Sequence, residues 1–393
     1  MFAAVAVLLS GTLVLVGCSS TADEPSQPAT PAAESPTVAP STSEPAPPPP
    51  PEQLSVTIAA AGDILTHPPV SQSATNYAGG SGYDYSPMFT EVAPLLSAAQ
   101  LAICHLETPL SPDNTNLSEW GSMSFNTPHE MATALAGAGY DGCEFASNHT
   151  MDRGLAGLGA TEQVVRDAGM GYAGPTANQD RAGIAEFYEL AGATVAHLAY
   201  TYTYPNDWGP TTVIPQEAPW LVESSWPSIG SAGIRTQAQA AKDAGADFVV
   251  VSLHWGNEYQ AMPADYQTTL AHEVMASDEV DLILGTHVHV VQPCEVINGR
   301  HVIYGMGNSL SNQSPMTASG LLPETQDGMV ATFTLNKDPD GVVTTQMSYQ
   351  PTFVEIPGHM IRLVSPESNP ASWQRTTAAV DLLGGCGAEV MQP

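Results

Sequence analysis

The chain has 393 residues, 43% of them hydrophobic, which allows one large catalytic domain with appendages or two small domains. Charge is sparse and one-sided, with 9 Lys and Arg against 40 Asp and Glu for a net of -31. Such a surface repels nucleic acid, gains nothing at an anionic bilayer, and repels acidic polymers at long range, so no nucleic-acid partner is expected.

Residues 2–17 are apolar and small, and Leu15-Val16-Gly17-Cys18 closes the run. This resembles a bacterial lipoprotein signal over residues 1–18, cut before Cys18 and lipidated there. The run is short for a spanning helix. The first basic residue is Arg153, so the usual positive segment ahead of the apolar run is missing. The expected location is the extracytoplasmic face of a bacterial cell membrane, held by the lipid anchor; an uncleaved anchor and a plain secretory signal are the alternatives. Residues 19–53 are rich in Pro, Ser, Thr, Ala and Glu and predict a disordered tether.

Val56 to Ala61 reads as a short strand ending at Gly62-Asp63, and Ala98 to Cys104 as a second ending at His105-Leu106-Glu107. Thr127-Pro128 predicts a helix start, with a capping residue and then proline at the first position, and Gly137 to Gly139 its end. A strand over Gly142 to Ala146 ends at Ser147-Asn148-His149, and a helix follows over Leu155 to Ala168. Ala191-Gly192-Ala193 separates two strands of a hairpin, Ala185 to Leu190 and Thr194 to Ala199. Helices over Ile234 to Ala244 and Tyr266 to Met275 feed apolar strands that end at His254 and His287. Asn298-Gly299 and Asp338-Pro339-Asp340-Gly341 predict two further hairpins, and Ser372 to Leu383 a weak helix in the tail. Strand–helix alternation followed by hairpins is an α/β layered domain with mixed sheets, placed at residues 54–361 with a C-terminal tail over 362–393.

Four cysteines follow Cys18, and export to an oxidising compartment permits disulfides. Cys104 and Cys143 each lie just before a motif at the end of an apolar run, which favours pairing them across adjacent strands and leaves Cys294 for Cys386.

The polar residues closing the strands are Asp63, Glu107, Asn148, His149, His254, His287 and His289. In parallel-sheet proteins ligands gather outside the carboxyl ends of the strands. Two carboxylates, an amide and three of the four imidazoles there suit two adjacent divalent cations, and a mixed nitrogen and oxygen shell favours Mn, Fe or Zn. A lone Gly-Asp or a lone Glu is ordinary; the ordered set carries the signal.

Six blocks together resemble the CapA family of poly-γ-glutamate capsule synthesis, itself related to the calcineurin-like metallophosphoesterases. They are Gly62-Asp63-Ile64-Leu65, His105-Leu106-Glu107, the Ala146-to-Gly154 run, His254-Trp255-Gly256-Asn257-Glu258-Tyr259, the Gly285-to-Gln292 run and Tyr304-Gly305-Met306-Gly307-Asn308. The resemblance implies a four-layer metallophosphatase-like sandwich, two mixed sheets between helices. It implies two metals, the first held by Asp63 and His289, the second by Asn148, His254 and His287, with Glu107 bridging. His149 would protonate a leaving group and Asp152 would orient it. Departures are visible. Leu65 stands where metallophosphoesterases usually carry a histidine, with His67 two residues on. His105 replaces the family's usual Asn and is a candidate substitute ligand. The second block has Ser147-Asn148 for two Asn, Val288 replaces Pro, and Ser309 replaces Phe.

The expected function is a divalent-metal-dependent, phosphoesterase-like hydrolase acting on poly-γ-glutamate or another envelope polymer, alongside proteins of a capsule-synthesis complex. The alternatives are a non-catalytic assembly, export or polymer-binding factor that keeps the fold, and a broad phosphoesterase unrelated to capsule.

Overall fold

Residues 53–393 are described by a computed structural model; the expected signal, Cys18 and all of the tether but Gln53 lie outside the described residues. From the amino end run β1 (Leu54–Ile64), α1 (Pro68–Tyr77), α2 (Ala93–Ala98), β2 (Leu101–Leu106), β3 (Leu110–Ser111), β4 (Thr127–Pro128), α3 (Glu130–Ala138), β5 (Gly142–Glu144), α4 (Gly154–Asp167) and β6 (Gly171–Ala173). The middle holds β7 (Glu186–Leu190), β8 (Ala193–Tyr200), α5 (Trp226–Asp243), β9 (Phe248–His254), α6 (Asp265–Val274) and β10 (Leu282–Thr286). The last third holds β11 (Cys294–Ile297), β12 (Arg300–Ile303), β13 (Asn308–Leu310), β14 (Asp327–Lys337), β15 (Val343–Glu355), β16 (Met360–Leu363), α7 (Pro370–Val380) and β17 (Glu389–Val390).

One sheet runs β16-β15-β14-β1-β2-β5-β6, with β13 beside the end of β1 and β17 beside β15. The other runs β11-β12-β10-β9-β8-β7. Both are mixed: β1, β2, β5 and β6 are parallel, as are β8, β9, β10 and β12, while β14 and β11 pair antiparallel. Strand alternation sorts the side chains into layers. Val56, Ile58 and Ala60 of β1 face the gap between the sheets, where they meet Val250, Leu282 and Leu284. Ala59 and Ala61 face the other way, onto Val70, Leu96 and Leu135 of the helices. Val249, Val251 and Ile283 pack against Ile234, Ala238 and Val274 of α5 and α6 on the far side. The order is therefore helix, sheet, sheet, helix, the expected four-layer arrangement. Burial on both faces explains why the strands read as unbroken apolar runs.

Two expectations shift, and some elements carry no signal in the sequence. Thr127-Pro128 is not a helix start: it pairs with Leu110-Ser111 as a short ladder, and α3 begins at Glu130 with His129 at the cap. Helices α1 and α2 and strands β6 and β13 were not legible. The tail boundary at 361/362 falls inside β16, which pairs with β15, and α7 packs on β14 and β15. The tail is also stapled by Cys294–Cys386, Cα atoms 5.7 Å apart, while Cys104–Cys143 joins β2 to β5 with 4.5 Å between Cα atoms. Both pairings are those expected, and both separations are ordinary for a disulfide.

Candidate metal centre

The parallel strands of both sheets point their carboxyl ends at one place. Asp63 closes β1, His105 and Glu107 lie at the end of β2, Asn148 and His149 follow β5, His254 closes β9, and His287 and His289 follow β10. A tight backbone approach beside β13 fixes the end of β1 there. Asp63 donates its amide to the Gly307 carbonyl at 2.9 Å, and a Cβ on Gly62 would fall 1.9 Å from that carbonyl oxygen. Only glycine fits at 62, so the Gly-Asp pair is fixed by packing. After β10 the chain takes positive φ at His287 (94°) and His289 (58°), unusual for side chains with a Cβ. That turn is held by the His287 amide, which donates to both carboxylate oxygens of Asp63 at 3.2 Å each.

One half of the cluster centres on Asp63 and Glu107, both at most 1% exposed. His289 Nδ1 donates to Asp63 Oδ2 at 3.0 Å and to Asn308 Oδ1 at 3.1 Å, and its Nε2 stands 3.5 Å from Glu107 Oε1. His105 Nε2 lies 3.9 Å from Asp63 Oδ1, and its Nδ1 donates to Glu144. Donor atoms of Asp63, His105 and Glu107 lie within 4.8 Å of one another, as do those of Glu107, His287 and His289. Burial alone would raise Asp63, but the hydrogen bond and charge of His289, with His105 beside it, hold it below the usual carboxylate range. Burial pushes Glu107 up to about 7. Burial lowers His289, yet the charges of Glu107 and Asp63 outweigh it and raise the group to about 10.

The other half is neutral and aromatic. His254 Nε2 donates to Asn148 Oδ1 at 2.9 Å, and its Nδ1 meets the Thr286 hydroxyl at 3.1 Å. Asn148 in turn donates from Nδ2 to Asn206 at 2.7 Å. The rings of His254 and His287 lie 4.6 Å apart, and Tyr202 sits 4.6 Å from His287. Burial, then the neighbouring His287, depresses His254 well below an ordinary histidine, and burial with the charge of His289 lowers His287 to about 3. Both present neutral imidazoles, the form that binds metal.

Several buried atoms at this point have no hydrogen-bond partner among the described residues: both carboxylate oxygens of Glu107, His105 Nε2 and His287 Nδ1. Buried polar atoms are nearly always satisfied. Four bare donors, two from a carboxylate and two from imidazoles, are the donor set of a mixed-ligand divalent cation. The residues therefore fit a divalent metal.

His149 stands beside this group. Its Nδ1 donates to Asp152 Oδ2 at 2.9 Å, and Asp152 is itself fixed by the Phe125 amide at 2.6 Å. Phe125 meets the His149 ring edge-on at 4.7 Å and His67 at 5.4 Å. A cleft of about 570 Å³ opens over the cluster, lined among others by Leu65, His67, Phe125, His149, Tyr202, Tyr259, His287 and His289. Its charged rim is acidic, with Asp207 and Glu258 and no Lys or Arg among the described lining residues.

All seven strand-end residues named from sequence meet here, with Asp152 behind His149. Sequence reasoning missed Phe125, Tyr202 and Asn206, which lie outside the strand-end blocks. Asn308 had a signal in its glycine-flanked block but no assigned role. His67 lines the cleft, with its Nδ1 accepting the Asn312 amide at 3.4 Å and its ring packed on Phe125.

Residues 57–313 match the model of a family described as bacterial capsule synthesis protein PGA_cap. A capsule biosynthesis protein CapA of Bacillus anthracis is 27% identical over 270 residues, covering 68% of this chain and 62% of the relative. A PGA biosynthesis protein CapA of Bacillus subtilis is 28% identical over 231 residues, covering 58% and 57%. The chain thus spans about three fifths of the length of these relatives. Among solved structures, a calcineurin-like phosphoesterase, YfkN of Bacillus subtilis, aligns with 83% of this chain and 98% of its own at a TM-score of 0.43 and 14% identity. A phosphatase of Mycoplasma pneumoniae aligns with 76% and 95% at 0.42 and 13%.

Proposed function

The chain belongs to the bacterial capsule synthesis protein PGA_cap family, and from that premise we propose that it is a divalent-metal-dependent, phosphoesterase-like hydrolase. It acts outside the membrane, in the synthesis or export of poly-γ-glutamate or another capsule or envelope polymer. The observation that carries the catalytic part is the set of bare, buried donors on Glu107 and His287. Asp63 and His289 would hold one ion and Asn148, His254 and His287 the other, with the Glu107 carboxylate available to both. When bound, two such ions, of Mn, Fe or Zn, would supply a water nucleophile at neutral pH and offset charge at the reacting centre.

The chain's own groups do the rest. His149, with Nδ1 committed to Asp152, keeps Nε2 for the cleft and passes a proton to the leaving oxygen. Phe125 and Tyr202 wall the cleft with aromatic surface and limit water. For location, the support is Leu15-Val16-Gly17-Cys18 together with two disulfides suited to an oxidising compartment. A lipid on Cys18 tethers the domain near the proteins of a capsule-synthesis complex.

A second reading has its own support. Leu65 removes a usual imidazole, and an acidic rim does not attract a polyanion. On that reading the protein is an assembly, export or polymer-binding factor that retains the fold. Metal content measured together with aryl phosphate turnover separates the two. About two ions per chain with turnover supports the hydrolase; no turnover at saturating metal supports the non-catalytic factor.

A further inference from the structure

We propose that His105, oriented by Glu144, is a ligand of the first metal site and supplies there the imidazole that Leu65 does not. The inference rests on the metal reading above and assigns a ligand outside that set.

The backbone lines these residues up. Asp63 of β1 is in register with His105 of β2, and His105 with Glu144 of β5, so the three form a row across adjacent parallel strands. The residues just before, Cys104 and Cys143, are also register partners, joined by a disulfide on the helix-facing side of the sheet. Alternation then sends His105 and Glu144 to the opposite face, toward Asp63. The disulfide fixes how β2 lies on β5, and so how Glu144 meets the imidazole.

The chemistry of the pair points to a cation. His105 Nδ1 is bound by Glu144, whose other carboxylate oxygen accepts the Ala146 amide at 2.8 Å. A carboxylate on one nitrogen of a histidine is the usual device for aiming the other nitrogen at a metal. That other nitrogen, Nε2, is buried with no hydrogen-bond partner among the described residues. At 3.9 Å from Asp63 Oδ1 it is too far for a hydrogen bond, yet its donor atom groups with those of Asp63 and Glu107 within 4.8 Å. Leu65 lines the cleft and His67 is held on Asn312 and Phe125. The first site thus has its imidazole from the neighbouring strand.

The test uses the full chain, stripped of metal and titrated with Mn²⁺ for stoichiometry and with Co²⁺ for visible absorption. His105→Asn, which restores the residue usual in the family, is expected to lose the first ion or weaken it at least tenfold and to change the Co²⁺ spectrum. Leu65→His added to His105→Asn is expected to restore the ion. Glu144→Gln is expected to weaken it roughly 10–100-fold. Far-UV circular dichroism reports folding of each variant, and if His105→Asn does not fold, Glu144→Gln decides. Wild-type stoichiometry, affinity and spectrum in His105→Asn, or unchanged affinity in Glu144→Gln, overturns the proposal and leaves a structural His–Glu pair. A wild-type chain that binds no ion overturns the metal reading itself, and this inference with it.

Discussion

Asn148 Oδ1 and His254 Nε2 meet at 2.9 Å, an amide after β5 in one sheet against an imidazole at the end of β9 in the other. The pair joins the sheets, and it occupies the two donor atoms that an ion would need. His254 carries its proton on Nε2 in this arrangement; were Nε2 to hold a metal, the proton would sit on Nδ1, with the Thr286 hydroxyl at 3.1 Å as its acceptor.

His254→Ala and His287→Ala are therefore expected to lower metal content while leaving the fold mostly intact. Both side chains sit at strand ends, outside the apolar layers. Elemental mass spectrometry reads the metal and circular dichroism the fold. Full metal retention in both variants removes them as ligands.

Glu107 differs, because both of its oxygens are bare and its donors fall in both candidate groups. Glu107→Gln is expected to reduce occupancy of both ions together. Loss of a single ion would argue against a bridging carboxylate.

Two buried histidines away from the metal donors contribute to the pH response. His197, bonded through Nε2 to Ser252 at 2.8 Å, is pushed down to about 3 by burial, and His359, between Ser73 and Asn312, to about 4. In each the folded state binds fewer protons than the unfolded chain below pH ~6.5. Their stabilising contribution is present above that pH and is lost as pH falls toward 3–4. Each is expected to remove on the order of 1 kcal/mol per pH unit within its window. Thermal melts of the metal-free protein from pH 7 to 4, compared with His197→Gln, check this; the variant should show a shallower acid loss.

Much of the centre was legible because strand ends declare themselves: an apolar run that stops at Asp63, Glu107 or His254 can be read without knowing the sheet. Relations between strands could not be read. His105 is already a candidate ligand in sequence, but the row Asp63, His105, Glu144 exists only through register, and Glu144 has no sequence signal of its own. Thr127-Pro128 carries a good local helix start, but pairing with Leu110-Ser111 overrides it. Helix α1 begins at Pro68-Pro69 with no side-chain cap from His67, and its polar composition reads as loop. Three-residue β13 is too short for any periodicity and is a strand only because β1 lies beside it.

The Cys104–Cys143 disulfide closes a separation of 39 residues, which in the chain-entropy account contributes about 4 kcal/mol to stability. Cys294–Cys386 closes 92 and contributes slightly more by the same account. The two differ in what lies nearby. The first sits next to His105 and Glu144, the second between β11 and the tail. Replacing either pair with serines is expected to lower the melting temperature, whereas metal affinity should fall only for Cys104→Ser/Cys143→Ser. Equal metal affinity in both double variants would detach the centre from the disulfide.

His149 and Asp152 offer a test of chemistry separate from metal binding. Asp152 binds the imidazole and the Phe125 amide together, so Asp152→Asn loosens the ring without touching the donor cluster. If the protein hydrolyses phosphoesters, His149→Ala is expected to lower kcat by about 10²–10⁴ with metal content unchanged. Asp152→Asn should lower kcat less, because the imidazole remains, with its orientation relaxed. A leaving group that departs without protonation, such as p-nitrophenolate, should be affected far less by either change than an alkyl ester. Equal losses on both substrates would mean that His149 does not deliver the proton and acts on the cleft's shape instead.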